Sequence, residues 1–493
     1  MIEERNNSKR AATPSYNKNQ VIIINPLPLL SQMRNSALFL PLGALYIADA
    51  LLDAGYNVSI INTDNEKALA EIKKIISKNL LCFCISTMSG TQLINAVVIA
   101  KALKTKYIGV PLIWGGPHIT ALPRQTLESN LVDYICWGEG EETISPLLDS
   151  IKSNNNASLF NMPGIGFKNK KSIIVGKNAG YSYLLKIFHL PYHLLDMSKY
   201  SRQLAIGAEK EFPILTSRGC PFRCKFCSNS SVLWPNTKIR FHTIDNIVND
   251  IKTLVREYGA DMITFADDGF LYSEKRLINI LSAVREEGIV VKYRFAARAD
   301  LLLKLKEETF SFMKEHGVVA IGFAPESGSQ KILDYLGKNI TIEQIYRIDR
   351  VLSRYKFYKN YNFMVCSPRE TMEDLKLTLR MILDLARTSM YSPYPFGTLF
   401  KYIPLPGTEL YEDAIKFGFK PPQTLNQWGE FDHRDIFDSI DRVRPWARKK
   451  NLVYMQKAIE LVERLNFQMI GEGYDKRVVS EIFKEMDNLI ERG

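Results

Sequence analysis

Ser217-Arg218-Gly219-Cys220-Pro221-Phe222-Arg223-Cys224-Lys225-Phe226-Cys227 sets three cysteines on one short loop, three residues between the first pair and two between the second. Thiolates this close together can hold three corners of a cubic iron–sulfur cluster and leave the fourth iron without a protein ligand. An iron with a free position can bind a small chelating molecule and pass it an electron. The same spacing also admits a structural zinc with a distant fourth ligand such as His242. The first reading needs a scaffold whose strand ends bring polar groups to the loop.

The flanking sequence supplies one. From about residue 212, strand-like runs alternate with amphipathic helical stretches: PILTSRGC, MITFADDGF, VKYRFAARAD, VAIGFAPESGS, YNFMVCSPRET and TLFKYIPLPG are each followed by a helix or turn. Such strand–helix repeats predict a partial (β/α)6 barrel, whose functional residues belong at the carboxyl ends of its strands. The cysteine loop, Asp267, Asp268, Arg298, Glu326 and Ser327 all fall at such ends. Upstream, VIIINP at 21–26 is a continuous apolar run of the kind buried on both faces of a parallel sheet. Strand and helix then alternate to about Ser153, which predicts a doubly wound α/β domain. Such domains bind ligands at the carboxyl ends of their strands. Here those ends carry Leu42-Gly43, Thr87-Met88-Ser89-Gly90-Thr91, Gly115-Gly116-Pro117-His118 and Gly138-Glu139-Gly140.

Composition bounds the remaining possibilities. The 493 residues are 46% hydrophobic and 24% charged, enough for two or three globular domains. Seven cysteines, an odd number with three on one loop, argue for a reducing compartment and metal ligation rather than a disulfide framework. No apolar run is long enough to span a bilayer, and residues 1–19 read as a polar, disordered leader, so a cytoplasmic protein is expected. The net charge of +11 comes from dispersed basic residues without interleaved aromatics, which speaks against nucleic-acid binding. Residues 154–211 read as a bridging segment, 212–420 as the barrel and 421–493 as a mainly helical C-terminal region. Cys82, Cys84, Cys136 and Cys366 read as buried packing.

Cys-x-x-x-Cys-x-aromatic-Cys resembles the signature of the radical S-adenosylmethionine (SAM) enzymes, with Phe226 where that family sets an aromatic beside the adenine. Ser217-Arg218-Gly219, Ser228-Asn229 and the four glycine-bearing segments of residues 20–153 are similar, in order and spacing, to the cobalamin (B12)-dependent branch. The resemblance implies a Rossmann-like cobalamin-binding domain over 20–153 and three cofactors: a [4Fe-4S] cluster on Cys220, Cys224 and Cys227, SAM, and cobalamin.

It also implies roles for single residues. Asp267 or Asp268 would receive the SAM ammonium, Arg298 its carboxylate and Glu326 the ribose, with Ser327 beside it. Leu42, Gly43, Thr87, Ser89, Gly90, Thr91, Gly115, Gly116, His118, Gly138, Glu139 and Gly140 would hold cobalamin. His118, in the Gly115-Gly116-Pro117-His118 turn, is read as touching the nucleotide tail or loop backbone, and Asp-x-His-x-x-Gly is absent. Tyr402 and Trp428 are candidates for the substrate pocket. Relatives carry Gly-x-Pro-x-Glu-Thr after the fifth barrel strand, whereas this chain has Cys366-Ser367-Pro368-Arg369-Glu370-Thr371.

The activity implied is methyl transfer from methylcobalamin to an unactivated carbon, after hydrogen abstraction by the 5′-deoxyadenosyl radical. The substrate would be a small molecule or peptide, and the electron donor of flavodoxin or ferredoxin type. Cyclisation or rearrangement with the same cofactors is the alternative. A cofactor sensor would have no need of the strand-end acids, and an RNA methylthiotransferase would carry further cysteines for a second cluster.

Overall fold

A computed structural model describes residues 19–29, 40–170, 172–178, 189–200, 202–204, 208–233, 238–389, 397–431, 443–447, 449–469 and 475–492; the leader expected at 1–19 lies outside them but for its last residue. Two sheets of seven strands organise the chain. The first is built from β1 (Gln20–Pro26), β2 (Asn57–Thr63), β3 (Leu80–Ser86), β4 (Leu112–Gly115), β5 (Tyr134–Cys136), β6 (Ile165–Asn169) and β7 (Ser172–Val175), in the order β2-β1-β3-β4-β5-β6-β7. β1 to β5 are parallel.

The apolar run of β1 shows why. Val21 and Ile23 pack with the helices Leu42–Asp53 and Ile144–Lys152, while Ile22 and Ile24 join a second core with the helices Asn65–Ile75 and Thr91–Lys106. Successive strand side chains point to opposite faces, so only a strand covered on both sides can be apolar throughout. β1 lies between β2 and β3, where the strand order reverses, and that places a crevice at their carboxyl ends.

The bridging reading of 154–211 needs revision. Its hairpin, β6 and β7, pairs antiparallel with β5 and extends the first sheet. The last part of the segment, β8 (Arg202–Leu204) and β9 (Ala208–Ile214), opens the second sheet. That sheet continues through β12 (Met262–Phe265), β13 (Lys292–Ala296), β14 (Val318–Glu326), β15 (Tyr358–Val365) and β16 (Gly397–Lys401), in the order β16-β15-β14-β13-β12-β9-β8. β9 and β12 to β16 are parallel and the sheet stays open, which makes the partial barrel expected. A short antiparallel pair, β10 (Ser217–Arg218) and β11 (Arg240–Phe241), brackets the cysteine loop.

The C-terminal region is helical and touches both halves. Helix Lys449–Met469 packs on β16 and on helix Lys476–Arg492, while the short helix Leu425–Gly429 packs on Thr91–Lys106 of the first sheet.

Gly116 shows how tightly the strand ends are fitted. Its φ is +101°, and a Cβ there would lie 2.6 Å from the Thr87 carbonyl oxygen and 2.9 Å from its nitrogen. Strand β3 therefore meets the β4 loop backbone to backbone, and His118 N–H donates to the same Thr87 carbonyl at 3.2 Å. Replacing Gly116 with Ala should cost about 1–3 kcal/mol from the left-handed conformation alone. A lowered thermal midpoint, with retained iron but reduced cobalamin content after reconstitution, is the expected result.

Candidate active site between the two sheets

A cavity of about 290 Å³ lies where the carboxyl ends of the two sheets meet. Ile23, Gly43, Gly116 and Gly140 wall it from the first sheet, Ser217 and Asp268 from the second. A Cβ on Gly140 would fall 2.7 Å from Ile47 Cδ1. These bare backbone edges leave space at the strand ends that side chains would otherwise fill.

Across this cavity runs a cluster of four charges. Arg218 donates to Glu139 at 3.2 Å and to Glu141 at 2.5 Å, and Arg240 grips both oxygens of Glu139 at 2.6 Å each. Their side chains are between 3% and 12% exposed. Burial alone would push the Glu141 carboxyl up, but Arg218 holds it below the usual range. The Arg218 guanidinium also lies 4.5 Å over the Tyr46 ring, which stacks on His242. Glu139, expected at cobalamin, is thus an anchor for the strand that delivers the cysteines.

The three cysteines are half-buried and the other four are buried elsewhere. Backbone bonds from Lys225 N–H to Leu336 O and from Leu410 N–H to Lys225 O, both 2.9 Å, fix the loop to the barrel. His242, the fourth ligand of the zinc reading, is 3% exposed, stacked on Tyr46 and 3.3 Å from the Asn246 amide. Among the described residues no three His, Cys, Asp or Glu side chains are grouped as a single ion would require. A cubic cluster, in which each thiolate takes a different iron, fits the loop better.

The acids after β12 divide their work. Asp267 accepts from Thr216 N–H at 2.6 Å, from Ser217 N–H at 3.1 Å and from the Thr216 hydroxyl, and so supports the backbone entering the loop. Burial pushes its pKa up to about 6 against those hydrogen bonds. Asp268 is exposed, faces the cavity and receives the Asn229 amide at 2.5 Å. It also accepts from Gly219 N–H at 3.3 Å.

Arg298 departs from its expected role. Its guanidinium lies 3.8 Å over the Phe222 ring, its Nη1 is 3.8 Å from Cys224 Sγ, and its other donors bond Asp300 and Lys338 O at 2.9 and 2.6 Å. It braces the cysteine loop. Glu326, with φ +67°, is buried and paired at 2.8 Å with Lys338, whose ammonium lies 5.8 Å from the Phe226 ring. Lys338 was not legible in the sequence, sitting in a turn without a motif. Ser327 is fully buried against Thr378 and serves packing. Burial raises the Cys224 thiol, while Lys338 and Arg298 pull it back toward thiolate.

The cobalamin set is split. Gly43, Gly115, Gly116, Gly138, Glu139 and Gly140 line the cavity, whereas Ser89, Gly90 and Thr91 line a second one beside it. Leu42 is half-buried against the core, and Thr87 and His118 are each 1% exposed. His118 Nδ1 pairs with the Ser89 hydroxyl at 2.9 Å and its ring packs edge-on to Trp428, so it supports the loop from behind. Trp428 itself is fully buried with its indole N–H on Gln125, and Tyr402 is buried beside Trp446. Both candidates for the substrate pocket are packing residues. Cys366, standing where relatives have glycine, is buried with φ +67°, so its backbone takes a conformation that glycine would adopt without strain.

Two family models match in sequence order: the B12 binding domain over residues 37–148 and the Radical SAM superfamily over 214–382. The chain belongs to the cobalamin-dependent radical SAM enzymes. Its cofactors are accordingly a [4Fe-4S] cluster, SAM and cobalamin. The enzyme is 29% identical over 373 residues to an uncharacterized methyltransferase of Pyrococcus horikoshii, covering 73% of this chain and 78% of that protein. It is 26% identical over 378 residues to the anaerobic magnesium-protoporphyrin IX monomethyl ester cyclase of Cereibacter sphaeroides, 73% of this chain but only 60% of the cyclase. In fold it resembles the cobalamin-dependent SAM radical enzyme OxsB, with TM-score 0.70 and 16% identity over 96% of this chain and 71% of OxsB.

Two outcomes test this account of the site. Burial pushes the pKa of His118 down to about 4 from 6.5. The unfolded chain therefore takes up a proton that the folded enzyme refuses, and stability present above pH 6.5 is lost as pH falls toward 4. Asp267 tilts the balance the other way over the lower part of that range, so the comparison is with His118→Gln, whose urea denaturation should depend less steeply on pH. For Lys338→Met, removing a cation beside Cys224 should shift the reduction potential of the reconstituted cluster downward by tens of millivolts in an EPR-monitored titration. An unchanged potential would leave Lys338 only its structural pairing with Glu326.

Proposed function

We propose that the enzyme transfers a methyl group to an unactivated carbon of a small-molecule or peptide substrate. The observation that carries this reading is the cavity walled on one side by the glycine-bearing strand ends of the first sheet and on the other by Ser217, Arg218 and Asp268 beside the cysteine loop. When bound, the cluster supplies one-electron cleavage of SAM and cobalamin supplies a transferable methyl group.

The chain's own part is to hold and orient. Cys220, Cys224 and Cys227 carry the cluster. Asp268 takes the SAM ammonium, Phe226 flanks the adenine, and Glu326, already a buried acceptor, meets the ribose with Lys338 as its counter-ion. Gly43, Gly115, Gly116, Gly138 and Gly140 leave room for cobalamin, and the charges around Arg218 fix the separation of the two walls. In this reading the cobalamin-binding unit runs from residue 20 through the hairpin ending at Val175, and the SAM unit begins with β9. An electron donor of flavodoxin or ferredoxin type and a cytoplasmic setting belong to the same proposal; no described helix is long and apolar enough to cross a membrane.

The cyclase relative favours a second reading, ring closure with the same cofactors and no methyl transfer. One anaerobic experiment separates them. Protein reconstituted with iron, sulfide and hydroxocobalamin is given reductant and methyl-labelled SAM, and both the label on cobalamin and the release of 5′-deoxyadenosine are followed. Both are expected. Cys224→Ala should abolish deoxyadenosine release while cobalamin still binds. Deoxyadenosine without label on cobalamin would overturn methyl transfer in favour of ring closure.

A further inference from the structure

A second cavity, of about 350 Å³, adjoins the site, since Pro117 and Leu233 belong to the walls of both. Its other walls come from distant parts of the chain: Met88 and Thr91 after β3, Ser228 next to the third cluster cysteine, Ile403 and Leu405 after β16, and Phe431 from the C-terminal region. Among the described residues no Asp, Glu, Lys, Arg or His lines it. The chain is 24% charged with a net +11, and the neighbouring cavity carries Glu139, Glu141, Arg218 and Asp268, so the contrast is local and sharp.

The lack of charge on the described walls bears on what can bind. A phosphate, carboxylate or ammonium placed there would give up hydration without a counter-charge, an effective cost of several kcal/mol per ion. Two of the four polar side chains of the wall are already engaged inward. Gln92 accepts from Met88 N–H at 2.7 Å and donates to Pro26 O at 2.8 Å, and the Ser89 hydroxyl pairs with His118. Thr91 and Ser228 remain as wall hydroxyls. The rest is hydrocarbon, in contact with the segment that follows Cys227.

We propose that this second cavity is the substrate site and that the substrate is an uncharged, mainly apolar small molecule, with at most a hydroxyl or carbonyl handle for Thr91 or Ser228. Calling the occupant a substrate rests on the methyl-transfer reading, whereas the preference for a neutral apolar molecule does not. Cobalamin occupies the glycine-edged cavity, and the two ligands meet at Pro117 and Leu233.

Equilibrium dialysis tests the assignment on the full chain loaded with cluster and cobalamin. The probes are tritiated farnesol, a neutral isoprenoid alcohol, and farnesyl diphosphate, the same hydrocarbon with a charged head. Saturable farnesol binding is expected, at least about tenfold tighter than that of the diphosphate. Val232 and Leu405 both line the cavity, and Val232→Trp and Leu405→Trp should each weaken binding at least about tenfold at unchanged iron and cobalamin content. No saturable binding, equal affinity for both probes, or indifference to both Trp variants would overturn the proposal. So would farnesol binding that disappears on loading with cobalamin, which would give the cavity to the cofactor. Failure of the methyl-transfer reading shows separately, in the labelling of cobalamin from SAM, which uses neither probe.

Discussion

The buried charge cluster of Glu139, Glu141, Arg218 and Arg240 is the constraint on which the site depends. Two arginines and two glutamates cancel in sum, and Arg218 and Arg240 reach Glu139 and Glu141 from the strands that flank the cysteine loop. Taking such groups out of water is expensive, so a buried ion cluster is poor evidence for stability by itself. What it does enforce is position. Removing one partner would strand a buried charge at a cost of about 3–5 kcal/mol, so the loop after β5 cannot drift from the strand entering the cysteine loop. Arg218 lies two residues before Cys220 and Glu139 beside Gly138 and Gly140, so the same ion pairs set how far the cobalamin cradle stands from the cluster loop.

The cysteine loop is braced in turn by the barrel. Arg298 stacks on Phe222 and approaches Cys224, and it also bonds the backbone of Lys338, whose ammonium is paired with Glu326. Two cations thus stand beside the Cys224 thiol, which must ionise to bind iron and whose burial works against ionisation. Left-handed backbone at Glu326 and Cys366 marks the same strand ends. Strain of this kind collects where a backbone is held by its surroundings rather than by its own preference.

Much of this was legible in the sequence, and the limits have physical causes. Cysteine spacing is local, and the strand and helix periods are local, so loop, doubly wound sheet and partial barrel could all be read from neighbouring residues. The direction in which a strand-end side chain points could not. Asp267 and Asp268 are consecutive and identical in type, yet one accepts from the backbone of Thr216 and Ser217, while the other accepts from Gly219 N–H and also faces the cavity. Arg298 has the chemistry of a carboxylate clamp but finds nearer partners. The hairpin of β6 and β7 lies in the stretch read as a bridge, and its pairing with β5 is a tertiary choice that no local pattern encodes. Trp428 was a candidate for the substrate pocket, and His118 for a contact to the nucleotide tail or the loop backbone. Here they pack against one another, and burial keeps the imidazole neutral.

The division of charge between the two cavities bears on how a reactive carbon could be handled. The glycine-edged cavity is rimmed by Glu139, Glu141, Arg218 and Asp268, groups able to order a polar cofactor and water. At Pro117 and Leu233, where the cavities meet, the shared side chains offer no hydrogen bond, and proline also lacks its N–H. A bridging water needs two to four polar partners, so the junction disfavours one. Polar groups that hold and dry surfaces that exclude are therefore set side by side, and the ion cluster around Arg218 keeps them in register.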